Sequence, residues 1–66
     1  MIRAVVQLII DGQGFRVEAF DQAGADLLSI PSPIFATAGE AEAFALAELH
    51  RKGFHFGEIF IDYPRR

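Results

Sequence analysis

The chain contains neither cysteine nor tryptophan among its 66 residues. Without cysteine it can form no disulfide and no thiolate metal site, and we expect a reducing, cytoplasmic compartment. It also lacks an apolar run approaching the roughly 20 residues that a membrane-spanning helix needs, so no membrane segment is expected. The start, Met1-Ile2-Arg3, does not lead into the basic and then long apolar stretch of a signal peptide, and none is predicted.

Positive charge is scarce, since six basic residues stand against nine acidic ones and give a net charge of −3. A domain that binds nucleic acid normally presents a basic face that offsets the phosphate charge. Adjacent basic residues occur only at Arg51-Lys52 and at Arg65-Arg66. We interpret the first pair as a helix C-terminus and the second as a solvated tail. Nucleic acid is therefore not an expected partner.

Apolar residues are abundant: they make up 52% of the chain and include seven phenylalanines. This share lies slightly above the usual value of about 45–50%. So small a domain has a high surface-to-volume ratio and cannot hide all of these side chains. The apolar side chains that cannot be buried indicate a surface for a partner.

One helix is marked at both ends. Thr37-Ala38-Gly39-Glu40 has the spacing of a capping box, in which the threonine hydroxyl and the glutamate carboxylate accept from backbone amides. Arg51 and Lys52 suit the negative end of a helix dipole, and Gly53 can adopt the left-handed conformation that ends a helix. The sequence predicts a helix over residues 38–52.

The rest of the chain has the period-two pattern of strands. Asp11-Gly12-Gln13-Gly14 is a hairpin turn signal, and Pro31 and Pro33 end the third apolar run because proline cannot donate to a ladder. We predict an α+β fold of order β-β-β-α-β, with an antiparallel sheet and the helix packed on one face. The predicted strands cover residues 2–10, 14–20, 26–30 and 55–62.

No group of residues is arranged for chemistry. His50 and His55 are the only histidines and have no matching set of zinc ligands around them. Glu48 is predicted on the helix surface, and Ser29 and Ser32 flank a proline bend without a histidine on the same element. We predict no catalytic, cofactor or metal site, and no enzyme activity.

The chain resembles the N-terminal domain of HicB-like antitoxins, a truncated RNase H-like unit. In that family a Gly-Tyr/Phe pair begins the second strand, as Gly14-Phe15 does here, and a Thr-x-x-Glu-Ala box begins the helix, as in residues 37–41. The hairpin of residues 5–20 also fits. The family's Phe-Pro-Asp-Leu-Pro-Gly-Cys signature is missing, and residues 19–24 stand in its place. The predicted second and third strands running into the helix are also similar to several small bacterial domains of unknown function. These resemblances imply the topology and, with less weight, an antitoxin role.

We therefore expect a small, non-catalytic protein-interaction module of bacterial type that associates with itself. The alternative is a regulatory inhibitor, antitoxin-like or phage-encoded, that binds and blocks a partner enzyme. An inhibitor would be encoded beside its target or in a mobile element and would co-purify with one heterologous protein. A housekeeping module would show neither property.

The expected form of self-association is a homodimer. One helix can cover only one face of the sheet, and the even-numbered side chains of the first strand are its natural contact: Ile2, Val6, Leu8 and Ile10. The opposite face would form an apolar patch that a twofold contact could bury. The residues predicted at this interface are Val5, Ile9, Phe20, Phe44 and Phe56. For Phe44 two interpretations stay open, an edge of the core or a contact with another chain.

Overall fold

Two strands, a helix and a third strand follow one another along residues 1–64, the part of the chain that the computed structural model describes. The strands are β1 (Ala4–Asp11), β2 (Gly14–Asp21) and β3 (Ile59–Asp62), and the helix is α1 (Ala38–Arg51). A single 3-10 turn, Phe56–Glu58, leads into β3. The α+β class with one helix is therefore confirmed.

The hairpin of β1 and β2 forms as the alternating pattern predicts. The two strands are antiparallel, with Ala4 opposite Asp21 and Asp11 opposite Gly14. Gly12 has a φ of 64°, which most residues adopt only at a cost, and it makes the tight connection possible. Alternate side chains of both strands consequently share one face of the sheet.

The sheet is mixed, and the prediction of a purely antiparallel sheet is wrong. Its order is β2-β1-β3, and β3 runs parallel to β1 with Ala4 opposite Ile59 and Gln7 opposite Asp62. A parallel neighbour requires a long crossover connection, usually a helix. Here α1 carries the chain back to the end of the sheet at which β1 starts, and β3 must then run in the same direction.

The predicted third strand, residues 26–30, is absent, and the sheet has three strands instead of four. Asp26 forms one isolated bridge with Phe20, and a second bridge joins Phe35 to Phe15. Pro31 and Pro33 lie between these points and have no amide proton for a ladder. Residues 26–35 thus follow the outer edge of β2 without becoming a regular strand.

A serine hydroxyl replaces one of the missing ladder bonds at this edge. The Val17 amide of β2 donates to Ser32 Oγ at 3.1 Å, and Val17 itself is only 1% exposed. Near the start of β2, a side chain at Gly14 would lie 2.8 Å from the Phe35 carbonyl oxygen, so this close approach requires glycine. The edge of β2 is therefore covered by its own chain.

The helix begins as predicted, at a complete capping box. The Glu40 amide donates to Thr37 Oγ1 at 3.2 Å, and the Thr37 amide donates to Glu40 Oε1 at 3.1 Å. Two amides that would have no partner in the helix are satisfied in this way.

The helix ends at a Schellman motif, also at the predicted place. Gly53 has a φ of 90°, its amide donates to the His50 carbonyl at 3.0 Å, and the Phe54 amide donates to the Leu49 carbonyl at 3.0 Å. With 14 residues, α1 is too short to cross a bilayer, and no other helix of residues 1–64 has the length and hydropathy to do so.

The core lies between α1 and one face of the sheet. Its centre is made of alanine and aliphatic side chains, and the alanines of α1 let the helix approach the strands closely: Ala4, Val6, Leu8, Val17, Ala19, Ala41, Ala45, Leu49 and Ile59. Val6 and Leu8 face the helix as predicted, but Ile2 and Ile10 are 44% and 50% exposed. A helix of this length spans about 21 Å, whereas residues 2–10 span about 30 Å when extended, so the two ends of this segment reach beyond the helix.

The last strand is shorter than predicted because a turn takes its first residues. Instead of residues 55–62, only Ile59–Asp62 are in β3. The His55 amide donates to Glu58 Oε1 at 2.8 Å, and the Glu58 amide donates to the His55 carbonyl at 2.9 Å. These local bonds compete with the sheet for the same backbone and fold residues 55–58 into a turn.

Removing the N-cap should destabilise the fold. We expect Thr37→Ala to lower the free energy of unfolding by about 0.5–2 kcal/mol, because the Glu40 amide loses its acceptor. Thr37→Ser keeps the hydroxyl and should retain most of the stability. Urea denaturation measures both, and equal midpoints for Thr37→Ala and the wild type would contradict the capping role.

The Ser32 hydroxyl at the edge of β2 should also contribute to the stability of the fold. We expect Ser32→Ala to cost about 1–3 kcal/mol of unfolding free energy, because it leaves the Val17 amide unpaired at a buried position. Ser29→Ala is the matched control, since Ser29 is exposed, and should change stability by less than about 0.5 kcal/mol. If Ser32→Ala changed the free energy of unfolding as little as Ser29→Ala, the hydrogen bond from the Val17 amide to Ser32 Oγ would not contribute to stability.

Candidate interaction surface

The face of the sheet opposite α1 carries a row of three apolar side chains. Val5 in β1 lies opposite Phe20 in β2 and opposite Phe60 in β3, so the three residues form one line across all three strands. Phe20 is half-buried, Val5 is 36% exposed and Phe60 is 52% exposed. We call Phe20, Val5 and Phe60 the outer row. Its exposure is greatest at the β3 edge of the sheet.

Polar side chains bound the outer row on the side toward the hairpin turn. The next line across the sheet contains Glu18, Gln7 and Asp62. Beyond it, Arg16 lies opposite Ile9, and Arg16 Nη1 contacts Glu18 Oε2 at 3.1 Å. The uncovered face thus has an apolar end at the outer row and a largely polar end toward the hairpin turn.

An ion pair lies where β1 and β3 begin, next to the outer row along both strands. Arg3 Nη1 donates to Glu58 Oε2 at 3.0 Å, and the Arg3 guanidinium lies 5.0 Å from the centre of the Phe54 ring. The hydrogen bond from the His55 amide, followed by that from Arg3, lowers the pKa of Glu58 below its usual value. Glu58 is therefore held as a carboxylate with both a backbone and a side-chain partner.

The five predicted interface residues do not lie together. Val5 and Phe20 are in the outer row, and Ile9 is half-buried two lines further along the face. Phe56 is 64% exposed but lies in the 3-10 turn, outside the sheet. Phe44 is half-buried on α1, with its ring centre 5.5 Å from that of Phe35, and packs against the core.

Phe60 occupies the position on the uncovered face for which Phe56 was predicted. A regular strand over the predicted residues 55–62 would place both phenylalanines on one face. The spacing of His55 and Glu58, three residues apart around Gly57, is the signal for the turn that removes Phe56 from that face.

Glu48 was predicted on the helix surface, but it is only 7% exposed. Its carboxylate forms an ion pair with Arg51, one helical turn further along. A neighbouring bond joins Lys52 Nζ to Ser29 Oγ at 3.2 Å, and these side chains line a cavity of about 260 Å³ together with Ile30. A buried carboxylate needs such a partner, because an unpaired charge is costly to bury.

The two histidines are separated and exposed, one at the end of α1 and one after the Gly53 turn. Within residues 1–64, no three or more side chains of His, Asp or Glu are grouped so that they could hold a metal ion. Ser29 and Ser32 lie along the β2 edge, where their hydroxyls bond to Lys52 and to the backbone.

Comparison of the chain with protein-family models, curated proteins and solved structures gives no match. The resemblance to HicB-like antitoxins therefore remains a prediction, based on the hairpin and on the helix start at residues 37–41. The outer row and its surroundings are the basis for the function proposed below.

The bonds of Glu58 lead to a pH-dependent prediction. Because its pKa is lowered in the folded chain, this carboxylate stabilises the fold at neutral pH, and the contribution disappears as the pH falls through that lowered pKa. We expect Glu58→Gln to lower the urea midpoint at pH 7 and to reduce its decrease toward acidic pH.

The variant Arg3→Gln separates the two causes of the lowered Glu58 pKa, which are the hydrogen bond from the His55 amide and the hydrogen bond from Arg3. It should raise the pKa of Glu58 only part of the way to its ordinary value, since the His55 amide still donates to the carboxylate. An NMR titration of the Glu58 side chain measures both pKa values. An ordinary glutamate pKa in the wild type would contradict the geometry described here.

Proposed function

We propose that the protein is a small, non-catalytic interaction module that forms a homodimer through the uncovered face of its sheet. The observation that carries this proposal is the outer row, in which Phe60 is 52% exposed and aligned with Val5 and Phe20. The cytoplasm is its proposed compartment, as expected for a chain without cysteine.

Apolar surface exposed to water is costly in free energy, and burying it against another molecule is favourable. Soluble monomers rarely expose contiguous apolar patches of more than a few hundred Å², and larger patches mark sites at which other molecules bind. A large aromatic side chain at the centre of a contact contributes most of its binding energy. Phe60 has this role in the proposed dimer, with Val5 and Phe20 beside it.

A twofold contact suits this surface because one patch serves both chains. The neighbouring line of Glu18, Gln7 and Asp62 supplies a polar border next to the apolar residues. An apolar centre with a polar rim is the usual composition of a protein–protein interface.

The non-catalytic part of the proposal rests on the separation of the reactive side chains. His50 lies at the end of α1, His55 in the following turn, and the two serines along the far edge of β2. Nucleophilic catalysis requires a base within hydrogen-bond reach of the nucleophile. Ser32 Oγ instead donates to the Pro33 carbonyl and accepts from Val17.

Sedimentation equilibrium tests the dimer. We expect the wild type to approach twice the chain mass of 7.3 kDa as its concentration rises. Phe60→Thr should shift this transition to higher concentration, because it removes the aromatic ring while threonine keeps a high β-propensity. Ile30→Thr is the matched control, since Ile30 is 56% exposed but lies on the opposite edge segment, and should dimerise like the wild type.

A mass of 7.3 kDa at all concentrations would contradict the homodimer. Equal weakening by Phe60→Thr and Ile30→Thr would contradict the outer row as the contact. In either case the outer row would be available to bind a different protein, as in the alternative of a regulatory inhibitor.

A further inference from the structure

The chain segment that covers the outer edge of β2 is fixed to this strand at two points. At one of them the Leu27 amide donates to the Ala19 carbonyl at 2.8 Å. At the other, Phe15 and Phe35 exchange two backbone bonds of 2.8 and 2.7 Å. The side chains of Leu27 and Phe35 also pack against the core, so both points combine backbone bonds with apolar contacts.

Between these two points the covering segment is longer than the strand beneath it. β2 contributes the three residues 16–18 to this interval, whereas the covering segment contributes the seven residues 28–34, which we call the strap. A ladder pairs one residue with one, so an excess of this size cannot be paired. The strap arches away from β2 instead, and residues 16–18 and 28–32, together with Asp26, line a cavity of about 360 Å³.

The strap buries little apolar surface. Leu28 is half-buried and packs against the core, whereas Ile30 and Ile34 are both 56% exposed. Pro31 and Pro33 are exposed and have no amide proton that could join a ladder. Leu28 is therefore the main apolar contact of the strap.

Two hydrogen bonds tie the strap to its surroundings, and each of them uses a serine hydroxyl. The Val17 amide donates to Ser32 Oγ at 3.1 Å, and Lys52 Nζ donates to Ser29 Oγ at 3.2 Å. Ser29 and Ile30 also line the cavity of about 260 Å³ at the end of α1, so this part of the strap borders two cavities. Segments with few buried apolar contacts open at a lower free energy than the fold as a whole.

We propose that the strap opens as a unit while the sheet and α1 stay folded, with Leu27 and Phe35 as its fixed ends. In the open state the Val17 amide loses its acceptor, and the middle of the β2 edge faces water. Free backbone groups along a strand edge are a template for another strand. The strap is thus a removable cover that controls access to this edge. The inference concerns the β2 edge alone and is independent of the homodimer proposed above.

The amides of β2 distinguish opening of the strap from unfolding of the chain. Amides of odd-numbered residues point toward the strap side, as the bonds of Phe15 and Val17 show. Successive residues of a strand alternate in direction, so the amides of even-numbered residues point toward β1. Glu18, opposite Gln7, is one of these. Because Val17 and Glu18 are adjacent, unfolding of β2 exposes both amides, whereas opening of the strap exposes only that of Val17.

Native-state hydrogen exchange in a urea series tests the inference on the unaltered chain. Without urea, and after correction for intrinsic rates, we expect the Val17 amide to exchange on the order of 100-fold faster than the Glu18 amide. The Val17 rate should change little at low urea concentration, because opening the strap exposes little surface, whereas the Glu18 rate should follow global unfolding. Equal rates with equal urea dependence would overturn separate opening.

A core variant provides a second comparison. Ile59 is 8% exposed and lies in β3, which β1 and β2 separate from the strap. Ile59→Val weakens packing that is still present when the strap is open, so we expect only the Glu18 amide to exchange faster, by about 2–10-fold. Equal acceleration of the Val17 amide would show that it exchanges through global unfolding and would contradict the proposal.

A strap variant tests whether the segment moves as a unit. The Leu28 contact is lost both in the open strap and in the unfolded chain, so Leu28→Ala should accelerate the Val17 and Glu18 amides by the same factor, on the order of 10-fold. Ile30→Ala is the matched control, since Ile30 is 56% exposed, and should change either rate by less than about twofold. If Leu28→Ala accelerated Glu18 alone, the bond from Val17 to Ser32 would open by itself and the strap would not move as a unit.

Discussion

A single helix can cover only one face of a sheet, and this constraint shapes the rest of the molecule. With 14 residues, α1 spans the middle of the three strands and buries one side of them. Everything on the other side stays in water unless a second molecule covers it. Polar residues lie at one end of that face, Arg16 and Glu18 among them, and the other end is apolar.

The position of the helix depends in turn on its two ends. The capping box at Thr37 and Glu40 starts it where residues 26–35 leave the edge of β2, and the Gly53 turn ends it where β3 must begin. Because the helix returns the chain to the start of β1, β3 is added in parallel at the far edge. The order of the sheet, and with it the open edge next to Phe60, follows from this one connection.

Much of the architecture could be predicted from local signals. Period-two patterns identified β1 and β2, and capping chemistry identified both ends of α1, because these elements depend on neighbouring residues. The predictions that failed concern features that depend on distant parts of the chain or on competition between alternative local structures. The Leu27–Ile30 run has the composition of a strand, but two prolines follow it, and only the flanking residues Asp26 and Phe35 form isolated bridges with β2. The direction of β3 depends on the helix crossover rather than on its own residues.

The candidate surface could be predicted only in part for the same reason. Val5 and Phe20 follow from the hairpin register, whereas the choice between Phe56 and Phe60 depended on where the last strand begins. Glu48 shows a second limit, since a helical wheel does not reveal that this side chain is buried or that it lines a cavity with Ser29, Ile30 and Arg51.

The central claim is that the protein associates through the outer row on the uncovered face of its sheet. A dilution series of amide NMR spectra tests it most directly, because every residue reports separately. The account predicts concentration-dependent shifts at Val5 and along β3, with none at Ala43 and Ala47 on the exposed side of α1. Shifts confined to α1, or spectra that do not change with concentration, would contradict it.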